Sequence, residues 1–512
     1  MKRRLKKLAA LLGSMAMVFS LMACGSNEGG SVEESPSSET SSAETEDGQE
    51  NAGEESANEE STEVKSVNVT IPAVYDLPDA GLVEDEINKI TEPRYGIHMD
   101  LEFITLGNWT QQSNLLFTGD EADIIAIFNT PLSTFVKNGQ LADLTDYYAN
   151  ASEEFRAVWG DEQIKGTTIG GRIMAIPNLR NIGAYIGLNI DEEIAAEYEI
   201  EAGQTLTMEE IDTFLRAVHE EYPDRYALVP QSGGSLIGEW SWDGLGDAEY
   251  IGVLPECGQV TEVQNLFDTE DFRTFCGWTR SWYEDGLIMQ DILSNTLPFQ
   301  TLIGNKQGIA CFDNYGIATV DGIIRTVVVD KWTQSNAYQA ICYGINQNSK
   351  DKDAAWKTME ILYTDPNVCV LLNNGIEGMH YVKNDDGTVS FPEGKTAEDC
   401  GYGLSQAYWI TPYSAYAYPL DVNGADMFDN LIQFNEGTLK SKAFGFSFDT
   451  TDVIDQYSAC SNVMDKYYAA LMSGSVDVES TIEQADKEFE AAGLNDIIAA
   501  KQEQLDEFFA QQ

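Results

Sequence analysis

SVNVTIPAVYD (residues 66–76), VEDEINKI (83–90), IHMDLEF (97–103), GNWTQQSNLLF (107–117) and DIIAIF (123–128) follow one another with two alternating periodicities. Val67, Val69 and Ile71 alternate with polar residues, the period of a strand with one face buried. Val83, Ile87 and Ile90 recur at i, i+4 and i+7, one face of a helix. Ile97, Met99, Leu101 and Phe103 alternate with His98, Asp100 and Glu102, a second strand. A helical segment then runs to Phe117, and the apolar run from Asp123 to Phe128 is a third strand. Strand, helix, strand, helix, strand implies a parallel α/β sheet with right-handed crossovers.

Open sheets of this kind hold ligands beyond the carboxyl ends of their strands. The loops at those ends carry Tyr75 and Asp76 after the first strand, Leu106 to Trp109 after the second, and Phe128, Asn129 and Thr130 after the third. A ring beside a polar side chain suits a sugar, whose C–H face stacks while its hydroxyls form hydrogen bonds. Trp109 is therefore expected on the wall of a binding cleft, with a partly buried aromatic at a helix start as the plain alternative.

Upstream of this region, Lys2, Arg3, Arg4, Lys6 and Lys7 precede an apolar run from Leu8 to Ala23. The run is shorter than the ~20 residues a membrane-spanning helix needs, and it reads as a signal peptide. It ends in Leu21-Met22-Ala23-Cys24-Gly25, which resembles the bacterial lipobox. That resemblance implies cleavage before Cys24, a lipid on its thiol, and anchoring on the outer face of the cell membrane. Gly25 to Val64 holds thirteen Asp or Glu and neither Lys nor Arg. Such a segment cannot bury enough apolar surface to offset its ordering entropy, so it is expected to act as an extended tether.

The chain has 512 residues, 85 acidic against 30 basic, for a net charge of −55. Most of that negative charge lies in the folded body, which argues against nucleic acid and anionic lipid as partners. Seven cysteines follow Cys24: Cys257, Cys276, Cys311, Cys342, Cys369, Cys400 and Cys460. Their scatter offers no zinc spacing, and buried, reduced thiols are the expected state, with one disulfide as the alternative.

A second lobe is expected near Pro177. Thr207-Met208-Glu209-Glu210 is a capping box, followed by Ile211, Phe214, Leu215 and Val218 on one helix face. The stretch 233–247, rich in Gly and Ser, carries Trp240, Trp242 and Asp243, the second candidate cleft wall. Gly308 to Tyr315 reads as a strand entering a loop, with Asp313 and Tyr315 at its end. Asp386-Gly387 is a hairpin turn. Val478, Ile482, Ala485, Phe489 and Ala492 mark a tail helix that Gly493 caps. No G-x-S-x-G, Walker A or G-x-G-x-x-G motif occurs. Glu377 and His380 have E-x-x-H spacing, but Gly375 and Gly378 disfavour the helix that would make them a metal pair. Asp421-Val422-Asn423-Gly424 lacks the closing Glu of a calcium loop. No metal or cofactor is expected.

The order of several landmarks resembles the family 1 extracellular solute-binding lipoproteins of ABC transporters. These are Gly119-Asp120, Ala122-Asp123-Ile124, Asn138-Gly139-Gln140-Leu141-Ala142-Asp143-Leu144, and Gly171-Arg172-Ile173-Met174-Ala175-Ile176-Pro177. Asn373 to Tyr381, Gly445 to Asp449 and Ala491 to Leu494 resemble the C-terminal domain of the LipO-like subgroup. One departure is Gly187, where a bulkier residue is usual. The resemblance implies a two-lobed α/β fold of the periplasmic-binding-protein type II, with a helical C-terminal tail. It also implies no catalysis, an oligosaccharide held between the lobes, and delivery to permease subunits. By that analogy lobe 1 comprises 66–178 and 308–345, lobe 2 comprises 180–306 and 346–450, and 451–512 forms the tail. Arg180, Glu377, His380 and Trp409 complete the candidate ligand-binding residues. A secreted polysaccharide-degrading enzyme, or a peptide-binding or adhesion lipoprotein, is the alternative function.

Overall fold

The computed structural model describes residues 63–128, 130–232, 234–396, 399–403 and 407–511. The signal peptide, Cys24 and the acidic tether lie outside them, as does Asn129.

The opening α/β unit forms as its periodicities predict. Strands Lys65–Ala73, Ile97–Thr105 and Ile124–Phe128 are connected by helices Ala80–Tyr95 and Leu106–Thr118. Lys65–Ala73 is central and pairs in parallel with both others, Val67 opposite Met99 and Val69 opposite Ile124. The first helix buries Val83 and Ile87 and half-buries Ile90, the predicted face. It ends at Gly96, whose left-handed conformation (φ 65°) lets its N–H donate to the carbonyls of Thr91 and Glu92. Ile341–Ile345 and Ile176–Pro177 extend the sheet, each joining antiparallel.

A second sheet is built on Ala184–Asp191. Gly308–Tyr315 pairs with it antiparallel, Leu188 opposite Phe312, and carries Tyr226–Leu228 in parallel on its far side. Ile323–Arg325 and Val329–Thr333 pair with its other edge, and Leu439–Lys440 joins last. Gly187 is explained here. A Cβ at that position would lie 1.8 Å from the carbonyl oxygen of Thr326, so only glycine lets the two backbones meet.

This topology corrects the expected segment boundaries. Gly308–Tyr315 was expected in lobe 1, but its first six residues are all buried and it is an interior strand of the second sheet. Only Ile341–Ile345 returns to the first. The region after 346 was expected in lobe 2. Instead Trp356, Met359, Leu362, Val368, Leu372, Ile410 and Leu431 pack into the first core. The chain re-enters the second core from Ala443 onward. It therefore passes between the cores three times, near 178–183, 334–340 and 432–442. The cause is non-local: strand partners far apart in sequence leave no periodic signal of which sheet they join.

The capping box forms as read. Thr207 Oγ1 accepts from the Glu210 N–H (3.2 Å), and Glu210 Oε2 accepts from the Thr207 N–H (2.8 Å). Helix Met208–Glu221 buries Ile211, Phe214, Leu215 and Val218. The tail comprises helices Ile454–Met472, Val478–Ala492 and Leu494–Ala510. Ile482, Ala485 and Phe489 face the second core, and Gly493 (φ 93°) caps the middle helix. The hairpin forms at Gly387 between Val382–Lys383 and Val389–Ser390. The seven cysteines after Cys24 are all buried. Among the described residues, no helix is long and apolar enough to cross a membrane.

Candidate functional site

The first and second crossings bring the two cores together around one polar cluster. Pro177 ends an edge strand of the first sheet and Ala184 begins the central strand of the second, so Asn178 to Gly183 must span the gap. Asn178 is buried, and its amide donates to the carbonyls of Trp409 and Thr411. The Arg180 guanidinium donates to the carbonyls of Asn181 (2.9 Å) and Ala337, which ties the first crossing to the second. Three buried polar atoms on this segment have no hydrogen-bond partner among the described residues: Asn178 Oδ1, Arg180 Nε and Asn181 Oδ1. An unsatisfied buried group costs about 1–3 kcal/mol, so three within four residues single this segment out as a candidate contact for a polar ligand.

From the second core, Glu239 reaches the same region. Its backbone is held by the Asn314 amide, which accepts from the Glu239 N–H (3.0 Å) and donates to the Glu239 carbonyl (2.8 Å). Burial pushes the Glu239 carboxyl above its ordinary range, opposed by a hydrogen bond with Gln334 and by the positive field of Arg180. Burial also lowers the Arg180 guanidinium, although guanidinium stays charged at any physiological pH. From the first core come two half-buried rings, Phe128 and Trp409, with centroids 6.3 Å apart. Aromatic faces, amides and one opposed charge pair thus share a seam between two cores. That combination has the chemistry to hold a polyhydroxylated ligand by stacking and hydrogen bonding. Among the described residues no triad of metal-ligating side chains falls here.

The structure brings Arg180 and Trp409 of the expected residues into this cluster and sends most of the others elsewhere. Trp109 is fully buried in the first core, where its indole N–H donates to the Phe128 carbonyl (3.1 Å). It fastens a helix to a strand end and does not line a cleft. Trp240 and Trp242 are buried in the second core. Trp240 packs against Phe275 (4.3 Å) and Phe312 (5.7 Å), Trp242 against Phe272 (5.7 Å). Asp243, expected as a hydroxyl partner, is buried and accepts from the Ser335 N–H, the Ser335 hydroxyl and the Leu245 N–H. It staples two loops.

Asp313 is buried among Asn189, Gln231 and Arg325. Tyr315 donates to the Thr326 carbonyl (2.7 Å), and burial pushes its phenol up to about 12. Glu377 is an exposed ion-pair partner of Lys383 (2.9 Å), while His380 is buried and accepts the Ile376 N–H at Nδ1. Tyr75 is half-buried and Asp76 exposed in the loop after the first strand. Sequence reasoning missed Asn178, Asn181, Glu239, Asn314 and Gln334. Glu239 adjoins the tryptophan chosen in its place, and Asn178 directly follows the Pro that closes the crossover motif.

Residues 442–510 match the family described as a domain of unknown function, DUF3502. A carbohydrate ABC transporter substrate-binding protein of Streptococcus pneumoniae serotype 4 is 23% identical over 435 residues, covering 82% of this chain and 86% of its own. Among solved structures, the N-glycan transport solute binding protein NgtS of S. pneumoniae superposes with a TM-score of 0.72 at 21% identity. That match covers 86% of this chain and 98% of the other. NgtS has also been solved in complex with Man5GlcNAc. An extracellular solute-binding protein of Bifidobacterium longum subsp. infantis gives 0.60 at 15% identity, over 86% and 97% of the two chains. The chain therefore shares the fold of these solved solute-binding proteins over most of its length, with the DUF3502 match at its C-terminal end.

Proposed function

We propose that the chain is the substrate-binding component of an ABC importer and captures an oligosaccharide between its two cores. The observation that carries this reading is the trio of unpaired buried polar atoms on Asn178, Arg180 and Asn181. Phe128 and Trp409 supply the stacking faces, Glu239 and Gln334 accept and donate from the opposite side. The pneumococcal protein of the same fold, solved with mannose-containing N-glycan fragments, makes such a glycan the first ligand to try. Cys24 carries the lipid that keeps the protein on the outer face of the cell membrane, and the acidic segment after it acts as the tether. Permease subunits are the partners.

The reading is binding without catalysis. Hydrolysis of a glycosidic bond ordinarily requires two carboxyl groups flanking it. Glu239 has a raised carboxyl, but its neighbour Asp243 is committed to Ser335 and Leu245. The test is a glycan array probed with the purified chain, followed by chromatography of each bound glycan after prolonged incubation. Retention of oligosaccharides that come back intact supports the reading. Cleaved products, or a response only to peptides, would replace it.

A further inference from the structure

Outside the proposed ligand seam, three metal-ligating side chains converge at the edge of the first sheet. His98 and Asp100 lie two residues apart on strand Ile97–Thr105, so they share a face, and Glu84 meets them from helix Ala80–Tyr95. One ligand atom from each lies within 4.8 Å of the other two. The strand is at the sheet's edge, and His98 is about one-third exposed (36%), so an ion can reach the cluster from solvent.

One atom of each of the three side chains is held by a second contact, which leaves that side chain's other donor atom outside the contact. His98 Nδ1 sits 2.6 Å from Glu92 Oε1, two turns along the same helix from Glu84. A carboxylate there favours the proton on Nδ1 and leaves the Nε2 lone pair for a metal. Asp100 Oδ2 accepts from the Ser66 hydroxyl, and its Oδ1 lies 3.4 Å from His98 Nε2. Glu84 Oε2 accepts from the Leu101 N–H (2.7 Å), which leaves its second oxygen. A tetrahedral zinc ion with bonds of about 2.1 Å separates its ligands by about 3.4 Å, the separation His98 and Asp100 already have.

We propose that Glu84, His98 and Asp100 form a zinc site that clamps helix Ala80–Tyr95 to the edge strand of the first sheet. One imidazole with two carboxylates suits zinc, whereas calcium and magnesium favour oxygen alone. The fourth position is open to water. Glu92 acts as a positioning residue through the imidazole and is not a ligand.

The experiment uses the full chain, stripped with chelator and titrated with Co²⁺ and then Zn²⁺ in excess Mg²⁺, which occupies diffuse acidic surface. The expected result is one equivalent of cobalt with the visible absorption of a low-coordinate nitrogen–oxygen site, displaced by zinc. His98→Ala should abolish that spectrum. Glu92→Gln should weaken zinc by about 10- to 100-fold yet give the parent spectrum at saturation, which a residue serving only the fold would not do. Should His98→Ala misfold by circular dichroism, Asp100→Asn takes its place, with loss of the spectrum again expected. Absence of the cobalt spectrum in the parent, or zinc bound as tightly by a folded ligand variant, overturns the site.

Discussion

Lys501 is the residue whose loss should be felt most in this body. It lies in helix Leu494–Ala510 of the C-terminal domain with its side chain fully buried. Its ammonium donates to Asp247 Oδ2 (2.8 Å) and to the carbonyls of Ile251 (2.7 Å), Gly252 (2.8 Å) and Gly244 (3.2 Å). One cation thus closes the loop 244–252 and docks the tail onto the second core. Lys501→Met keeps the length of the side chain and removes the charge. Asp247 would remain buried, with only the N–H groups of Glu249 and Ile251 and the Tyr457 hydroxyl to stabilise it. Breaking a buried pair from one side costs about 3–5 kcal/mol.

The melting temperature responds weakly in a body this large. At roughly 2.1 cal/mol/K per residue of unfolding entropy, that loss lowers it by about 3–5 °C for cooperative unfolding, and by roughly twice that if the second core melts alone. Equilibrium denaturation followed by circular dichroism is therefore the better assay. Asp247→Asn in the Lys501→Met background should recover part of the loss, because the uncompensated charge goes with it. A Lys501→Met protein within 1 kcal/mol of the parent would show that the buried ammonium does not hold the tail on the second core.

Two other predictions concern pH and location. Burial holds the His380 imidazole below its ordinary range, and its Nδ1 accepts the Ile376 N–H, a bond the protonated ring would lose. The unfolded chain binds that proton more readily, so stability should fall as pH drops below about 6.5. His380→Asn should flatten that slope in denaturation curves, and an unchanged slope would remove His380 as its source. Under the proposed anchoring, Cys24→Ser should release the protein to the medium or leave an uncleaved precursor. Membrane retention like that of the parent in cell fractionation would contradict a lipid on that cysteine.

The parts of the fold written in local periodicity were legible from the sequence. Residues 66–128 gave three strands and two helices because alternation and the i, i+4, i+7 pattern report burial directly. The Thr207 box and the Gly493 cap are local too. Placement of Gly308–Tyr315 and of the helices after 346 was not legible, since it depends on partners far away in sequence, such as Leu188 opposite Phe312. The expected tryptophans are placed in the cores for a different reason. A tryptophan in a Gly-rich stretch has the same sequence whether its ring faces a cleft or a core, and Trp109, Trp240 and Trp242 all face cores. Arg180 and Trp409 reach the seam because they sit on a crossing and on a loop packed against it. Glu239 and Asn178 are unremarkable in sequence and join the proposed seam only when the two cores meet.

Ligand capture between the two cores is tested by calorimetric titration of the chain with a mannose-containing N-glycan oligosaccharide, beside Trp409→Ala and Arg180→Met. The parent should bind with one site per chain. Removing the Trp409 ring from a desolvated site costs about 2 kcal/mol, so affinity should fall about thirtyfold. Arg180→Met should weaken binding at least tenfold, about 1.4 kcal/mol, by deleting the buried Nε–H that has no partner among the described residues, together with the guanidinium bonds to the Asn181 and Ala337 carbonyls. Ligand should raise the melting temperature of the parent by mass action. Two folded variants that bind every glycan as tightly as the parent would contradict a ligand seam between the two cores.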